Sequence, residues 1–255
     1  MSLAERFDAY ARTFISGTDA EIDRNIELKR AHTFRVVSLA DRLTAAEKFS
    51  PMLQEAVHFA AMLHDCARFE QFKQFRTFSD AASFNHGKVG AEIAGRLGFL
   101  DELAPEMRRT AVDAIAFHNA RTLPAGFSGD RLACVNAVRD ADKLDIIALL
   151  LQYQINHIDD PAVTLGLSVE RRFSPAVLNA ALNGVTPNYG ELETVYDFAA
   201  ARIAWFSDLN FDWSRRRYLE RRFDETMFAF LEGVPELDRL RAAFNTAAAP
   251  WRSSK

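Results

Sequence analysis

Two cysteines, Cys66 and Cys134, are all that 255 residues provide, and neither lies in a CxxC or zinc-knuckle spacing. That scarcity argues against a disulfide framework and against a thiolate metal site. Both thiols are expected to be small buried hydrophobes. The chain also lacks any run of 18 apolar residues, and its first stretch, MSLAERFDAYARTF, carries acids where a secretory leader would be apolar. The expectation is a cytoplasmic protein without a membrane span. Charge of one sign is missing too: Lys+Arg 31 against Asp+Glu 35 gives a net −4. Neither nucleic acid nor a membrane is expected as a partner, and any anionic ligand must be held locally. No repeat period and no low-complexity tract appears. A 49% hydrophobic, 26% charged composition is that of a globular protein with a sizeable core.

Alternating strand-like segments are absent as well, and helical periodicity runs almost throughout, so the fold class is all-α. Helices are expected over 3–15, 20–46 with Asp19 as N-cap, 51–66 with Ser50 before Pro51, 83–98, 105–119 opened by Pro105, and 129–156. Residues 157–174 form a polar connection marked by Gly and Pro. Shorter helices follow near 175–183, 191–207, 212–231 and 235–247, and 248–255 is expected to fray. No linker forces a boundary, so a single all-α domain is expected, its C-terminal third packing on, or forming a lid over, the rest.

On these helices four histidines face inward. His32 shares a stripe with Leu28, Val36, Leu39 and Leu43; His64 follows Leu53, Val57 and Ala60; His86 precedes Val89, Ile93 and Leu97; His118 follows Ala111 and Ile115. A lone histidine on an apolar stripe is ordinarily a core residue satisfied by a carbonyl. Four on four helices call for something shared, and a metal ion satisfies several buried imidazoles together. His58 and His157 fall outside the pattern.

Carboxylates complement the histidines. Asp65 adjoins His64, and VRDADKLDII offers Asp140, Asp142 and Asp145 in a helix apolar on much of its circumference. Projection groups Asp142 with Val135, Ile146 and Leu149, and Asp140 with Leu144 and Ile147, so periodicity leaves the inward acid open. Whichever acid is inside needs a metal, Arg139 or Lys143 to compensate it.

His32 in HTFRV, the pair His64-Asp65 in LHDCARFEQF, then NHGKVGAEIA, AFHN and RDADKLD, in that order, resemble the HD superfamily of metal-dependent phosphohydrolases. The resemblance covers about residues 25–150 and implies an HD-type helical bundle, with helices of about 170–247 as an extension. It selects Asp142, the second acid of DAD, as the ligand. Because His86 and His118 are present, it also implies the two-metal subgroup. There Asp65 would bridge the ions, one held with His32, His64 and Asp142, the other with His86 and His118. Nitrogen and oxygen ligands suit Mn, Fe, Co, Ni or Zn. Such ions acidify water and bind phosphate oxygens, which implies hydrolysis of a nucleotide or another small phosphate ester.

Further residues could serve that chemistry. Lys143, next to Asp142, either neutralises phosphate or pairs with Asp140. In RFEQFKQFRTF, Phe69, Phe72, Phe75 and Phe78 recur every third place. They are expected either to tuck into the core or to wall the site, with Arg68 or Arg76 meeting the substrate phosphate. Arg68, three residues beyond Asp65, is the better placed. WSRRRYLERRFDE reads as a solvated helical face. Two other functions stay open: a diiron oxygenase, which the same superfamily also contains, and a nucleotide-binding protein without turnover.

Overall fold

The computed structural model describes residues 1–155 and 167–252. Local sequence sets the helix ends. Ser2 and Glu5 cap α1 (Leu3–Arg12) reciprocally. Asp19 accepts from the backbone N–H groups of Glu21 and Ile22 at the start of α2 (Ala20–Ala46), and Ser50 accepts from that of Leu53 where Pro51 opens α3 (Pro51–Leu63). These caps satisfy donors that a first helical turn leaves unpaired. α4 (Ala67–Phe75) stops at Arg76, whose φ of 55° is left-handed. A short 3-10 turn, Asp80–Ala82, leads to Asn85, which caps α5 (His86–Arg96). Then come α6 (Pro105–Phe117) and α7 (Gly129–Ile155). Later helices are α8 (Pro175–Leu182), α9 (Val195–Ala204), α10 (Asp212–Glu220), α11 (Phe223–Phe230) and α12 (Leu237–Arg252). Among the described residues the sole β pairing is an isolated bridge between Ser168 and Thr194, so the fold is all-α as expected.

Two expectations need correction. The helix read over 212–231 is broken at Arg222, whose φ of 53° is left-handed. Periodicity missed the break because the apolar positions Tyr218, Phe223 and Met227 continue through it, all buried. The fraying expected from 248 onward does not occur over the described residues. α12 runs to Arg252, Ala248 is buried, the Trp251 indole donates to Asp212 at 2.9 Å, and Arg252 pairs with Asp224. Such contacts hold a segment that composition alone would leave loose. Residues 156–166, with His157 and most of the expected connection, and 253–255 lie outside the described residues.

The chain divides into two compact units, Met1–Asp145 and Ile146–Lys255. In the first, α3 is buried along most of its length and packs against α1, α2, α5 and α6. Rings of Phe7, Tyr10, Phe14 and Phe69 interlock at centroid distances of 5.1–6.0 Å. Thus Phe69 and Phe72, both fully buried, follow the core reading of the phenylalanine series, while Phe75 is exposed. In the second unit, Phe206, Tyr218, Phe228 and Phe244 form the aromatic core. There the buried Asp197 carboxylate accepts from Ser174 N and Oγ, both at 2.7 Å. Of the arginines in WSRRRYLERRFDE, Arg216, Arg221 and Arg222 are exposed as expected, whereas Arg215 and Arg217 are half-buried, Arg215 lying 4.7 Å from the Trp251 ring and Arg217 paired with Glu220 at 3.3 Å.

α5 and α6 meet at a glycine. A Cβ on Gly87 would lie 2.8 Å from Asn119 Oδ1 and 2.9 and 3.0 Å from the carbonyl oxygens of Ala116 and Ile115. Backbone cannot yield as a side-chain tip can, so Gly87→Ala is expected to lower stability by roughly 1–3 kcal/mol. Thermal unfolding checks this, and an unchanged melting temperature would mean that the two helices part at no cost.

Candidate metal centre

Helix ends place the four inward histidines. His32 sits mid-way along α2, His64 closes α3, His86 opens α5 and His118 closes α6. All are buried, none more than 5% exposed. The last carbonyls of a helix have no N–H partner within it. His64 Nδ1 lies 2.7 Å from Ala61 O, and His118 Nδ1 lies 2.8 Å from Ile115 O. A carbonyl only accepts, so Nδ1 carries the proton and Nε2 is left as a lone pair. Carboxylates do the same for the other two rings: Asp145 Oδ2 lies 2.7 Å from His32 Nδ1, and both oxygens of Asp80 lie 2.7 Å from His86 Nδ1. With each Nδ1 so engaged, the four rings turn their Nε2 atoms toward one another.

Those nitrogens come in two pairs, His32 and His64 at 3.4 Å and His86 and His118 at 3.0 Å. Asp65 stands between the pairs. Its Oδ2 is 3.5 Å from His32 Nε2 and 3.6 Å from His64 Nε2, whereas its Oδ1 is 3.4 Å from His86 Nε2 and 3.9 Å from His118 Nε2. Asp142 joins only the first pair, its Oδ1 lying 3.1 Å from His32 Nε2 and 3.7 Å from His64 Nε2.

Does this donor set fit a cation? Two lone pairs 3.0 Å apart repel unless a proton or a cation lies between them. Protonation is opposed at His118, pushed down to about 3 by burial and by the neighbouring His86 and His64. Burial and the charge of Arg68 hold His86 below its ordinary value, against the pull of Asp80 and Asp65. Asp142 Oδ1 is buried and otherwise without a hydrogen-bond partner, 3.1 Å from His32 Nε2. Ligands on one ion, with bonds of roughly 2.0–2.1 Å, lie about 3 Å apart, which is the scale of both pairs. Donor atoms of His32, His64 and Asp142, and of His64, Asp65 and His118, lie within 4.8 Å of one another. The residues fit divalent ions.

Burial and Lys29 lower the His32 value, but hydrogen bonds with Asp142 and Asp145 outweigh them and raise it. Burial would raise Asp65, yet Lys29, His64 and Arg68 hold it well below the usual carboxylate range. Lys29 Nζ is 2.8 Å from Asp65 Oδ2, and Arg68 Nε is 3.4 Å from Asp65 Oδ1. Both cations also face the ring of the half-buried Phe78, at 5.1 and 5.7 Å from its centroid. Of the phenylalanine series, Phe78 is the ring that faces these two cations.

The other expected residues divide. Arg68 reaches the cluster; Arg76 pairs instead with Asp19 at 2.7 Å and Glu21 at 3.4 Å, at the start of α2. The left-handed turn at Arg76 ends α4 and sends its side chain there. Lys143 is buried on α7 beside Asp142. Asp140 and Asp145 are more deeply buried than Asp142, which is marked instead by meeting the Nε2 atoms of His32 and His64, whereas Asp145 meets His32 at Nδ1. His58 pairs with Asp41 at 3.0 Å, apart from the cluster as expected. Sequence reasoning missed Lys29, although it lies three residues before His32 and hence on the same helical face. It also missed Asp80, for which the turn before His86 gives no periodic signal.

Residues 30–147 match the family model for the HD domain. No curated protein and no solved structure matches the chain. The matched span runs from just before His32 to just past Asp145, and so contains every histidine and carboxylate of the cluster, with Lys29 one residue before it. Over residues 30–147 the chain thus matches the HD domain, which is characteristic of a superfamily of metal-dependent phosphohydrolases.

Proposed function

We propose that the protein hydrolyses a phosphate ester or anhydride of a nucleotide or another small molecule, using two divalent ions held by His32, His64, Asp65, His86, His118 and Asp142. One observation carries this reading: the two oxygens of Asp65 face different histidine pairs, 3.5 and 3.6 Å on one side and 3.4 and 3.9 Å on the other. A single ion would leave one of those pairs without a cation. When bound, the ions supply a water acidified toward neutrality and positive charge for phosphoryl oxygens.

The chain's own groups do the rest. The four Nδ1 hydrogen bonds hold each imidazole in one tautomer and one orientation, so that little reorganisation accompanies loading. Lys29 and Arg68 contact the two oxygens of Asp65, and cations at the edge of the cluster suit the nonbridging oxygens of a phosphate. The Phe78 ring beside them offers a face for the organic part of the substrate. Ligand types favour Mn, Fe, Co, Ni or Zn.

Elemental analysis of protein purified without chelator, alongside a panel of phosphate esters, tests the proposal. Two ions per chain and release of phosphate or a dephosphorylated product are expected. Chelator should lower the melting temperature, since an ion at a hundredfold excess over its Kd stabilises the fold by roughly 2.7 kcal/mol. One ion or none, or metal content without any esterase activity, would overturn it.

A further inference from the structure

Two carboxylates outside the cluster stand behind its imidazoles, one on each side. Asp145, on α7, holds His32 Nδ1 at 2.7 Å and is held in turn by Arg35 at 2.7 and 2.9 Å. Asp80, in the turn between α4 and α5, holds His86 Nδ1 with both oxygens at 2.7 Å. It also accepts from Arg68 at 3.1 Å, from Gln71 at 3.1 Å and from Asn119 at 2.9 Å. The partner rings, His64 and His118, rest on backbone carbonyls. Each Nε2 pair therefore combines one ring backed by a charge with one backed by a neutral dipole.

A carboxylate behind a ligating imidazole fixes the ring and raises the basicity of its far nitrogen more than a carbonyl does. We infer that Asp145 and Asp80 are positioning residues that set the affinities of two ion sites separately, Asp145 for the site built on His32 and Asp80 for the site built on His86. The inference rests on the two-ion reading of the proposed function. Asp80 has a second tie. Its bond to Arg68, whose Nε lies 3.4 Å from Asp65, connects the His86 site to the cation proposed to meet phosphate. Disturbing Asp80 should therefore raise KM as well as weaken metal binding. Disturbing Asp145, whose other partner is Arg35, should leave KM unchanged at saturating metal.

The test is calorimetric titration of chelator-stripped full-length protein with Mn, on wild type, Asp80→Asn and Asp145→Asn, with melting curves for each. Wild type is expected to take two ions. Each variant should weaken one site roughly 10–100-fold and spare the other, as loss of an outer-shell partner does. In a His86→Ala background, Asp145→Asn should still weaken the remaining site, while Asp80→Asn should not. Asp80→Glu and Asp145→Glu keep the charge but move it. They should disturb the same single site by less, and they carry the test alone where an Asn variant does not fold. Wild type taking one ion or none overturns the two-ion reading and the inference together. Two ions in wild type, with the variants weakening both sites alike or neither, overturns the inference and leaves that reading standing.

Discussion

Asp142→Asn is expected to lose the ion shared with His32 and His64 and to abolish turnover, while Asp140→Asn keeps its metal. The two acids are two residues apart on α7 and both lie inside the fold, Asp140 more completely. What separates them is aim. Asp142 Oδ1 stands 3.1 Å from His32 Nε2 and 3.7 Å from His64 Nε2, and finds no hydrogen-bond donor there. An amide in its place keeps the shape but withdraws the charge, or turns an NH2 toward two lone pairs. Metal affinity at that position should fall by more than the roughly 10–100-fold that loss of a supporting outer residue costs. Elemental analysis and turnover on the same preparations check the pair. Asp140→Asn is read with a melting curve, because a fully buried carboxylate also contributes to stability. Metal lost from Asp140→Asn and retained by Asp142→Asn would shift the ligand by two residues.

That choice shows where reading the sequence stops. Helical periodicity orients a residue by contrasting a wet face with a dry one, and α7 offers little contrast: Val135, Val138, Asp140, Ala141 and Leu144 are all buried. No projection could rank its acids, and only the ordered set of motifs selected Asp142. His32, His86 and His118 were legible because α2, α5 and α6 each keep a solvent face, against which an inward imidazole stands out, whereas His64 closes a helix buried along most of its length. Caps at Asp19 and Ser50 were legible for a similar reason, being local chemistry between neighbours in the chain. Asp80 depends instead on a turn folding back over α4 to meet His86, Arg68 and Asn119 at once. Arg76 likewise could be read as a cation but not as one already paired with Asp19, 57 residues away in sequence. Long-range pairing of this kind leaves no periodic trace.

Release of phosphate or a dephosphorylated product in the absence of oxygen, with Mn or Co supporting the rate, is the second large effect expected. The same superfamily uses a closely similar histidine and aspartate set for diiron oxygenases, so the ligands alone do not separate the two chemistries. The groups around them favour hydrolysis. Lys29 at 2.8 Å and Arg68 at 3.4 Å from Asp65 bring two positive charges to the edge of the cluster, where an anionic phosphoryl group has use for them. Hydrolysis needs only Lewis acidity and a positioned water, so redox-inert zinc should also sustain it to some degree. An oxygenase instead needs iron, consumes dioxygen and is silent with zinc. His86→Ala and His118→Ala sharpen the test, since each removes a donor from the pair whose nitrogens lie 3.0 Å apart. Losing several kcal/mol of transition-state charge stabilisation at the second ion would slow turnover by roughly a hundredfold or more. The first ion, with His32, His64 and Asp142, should remain in both variants by elemental analysis. A protein that only binds nucleotides would show the metal and no product under any gas. Oxygen uptake coupled to product formation, with no phosphate ester cleaved under any divalent metal, would reject hydrolysis and establish the oxygenase.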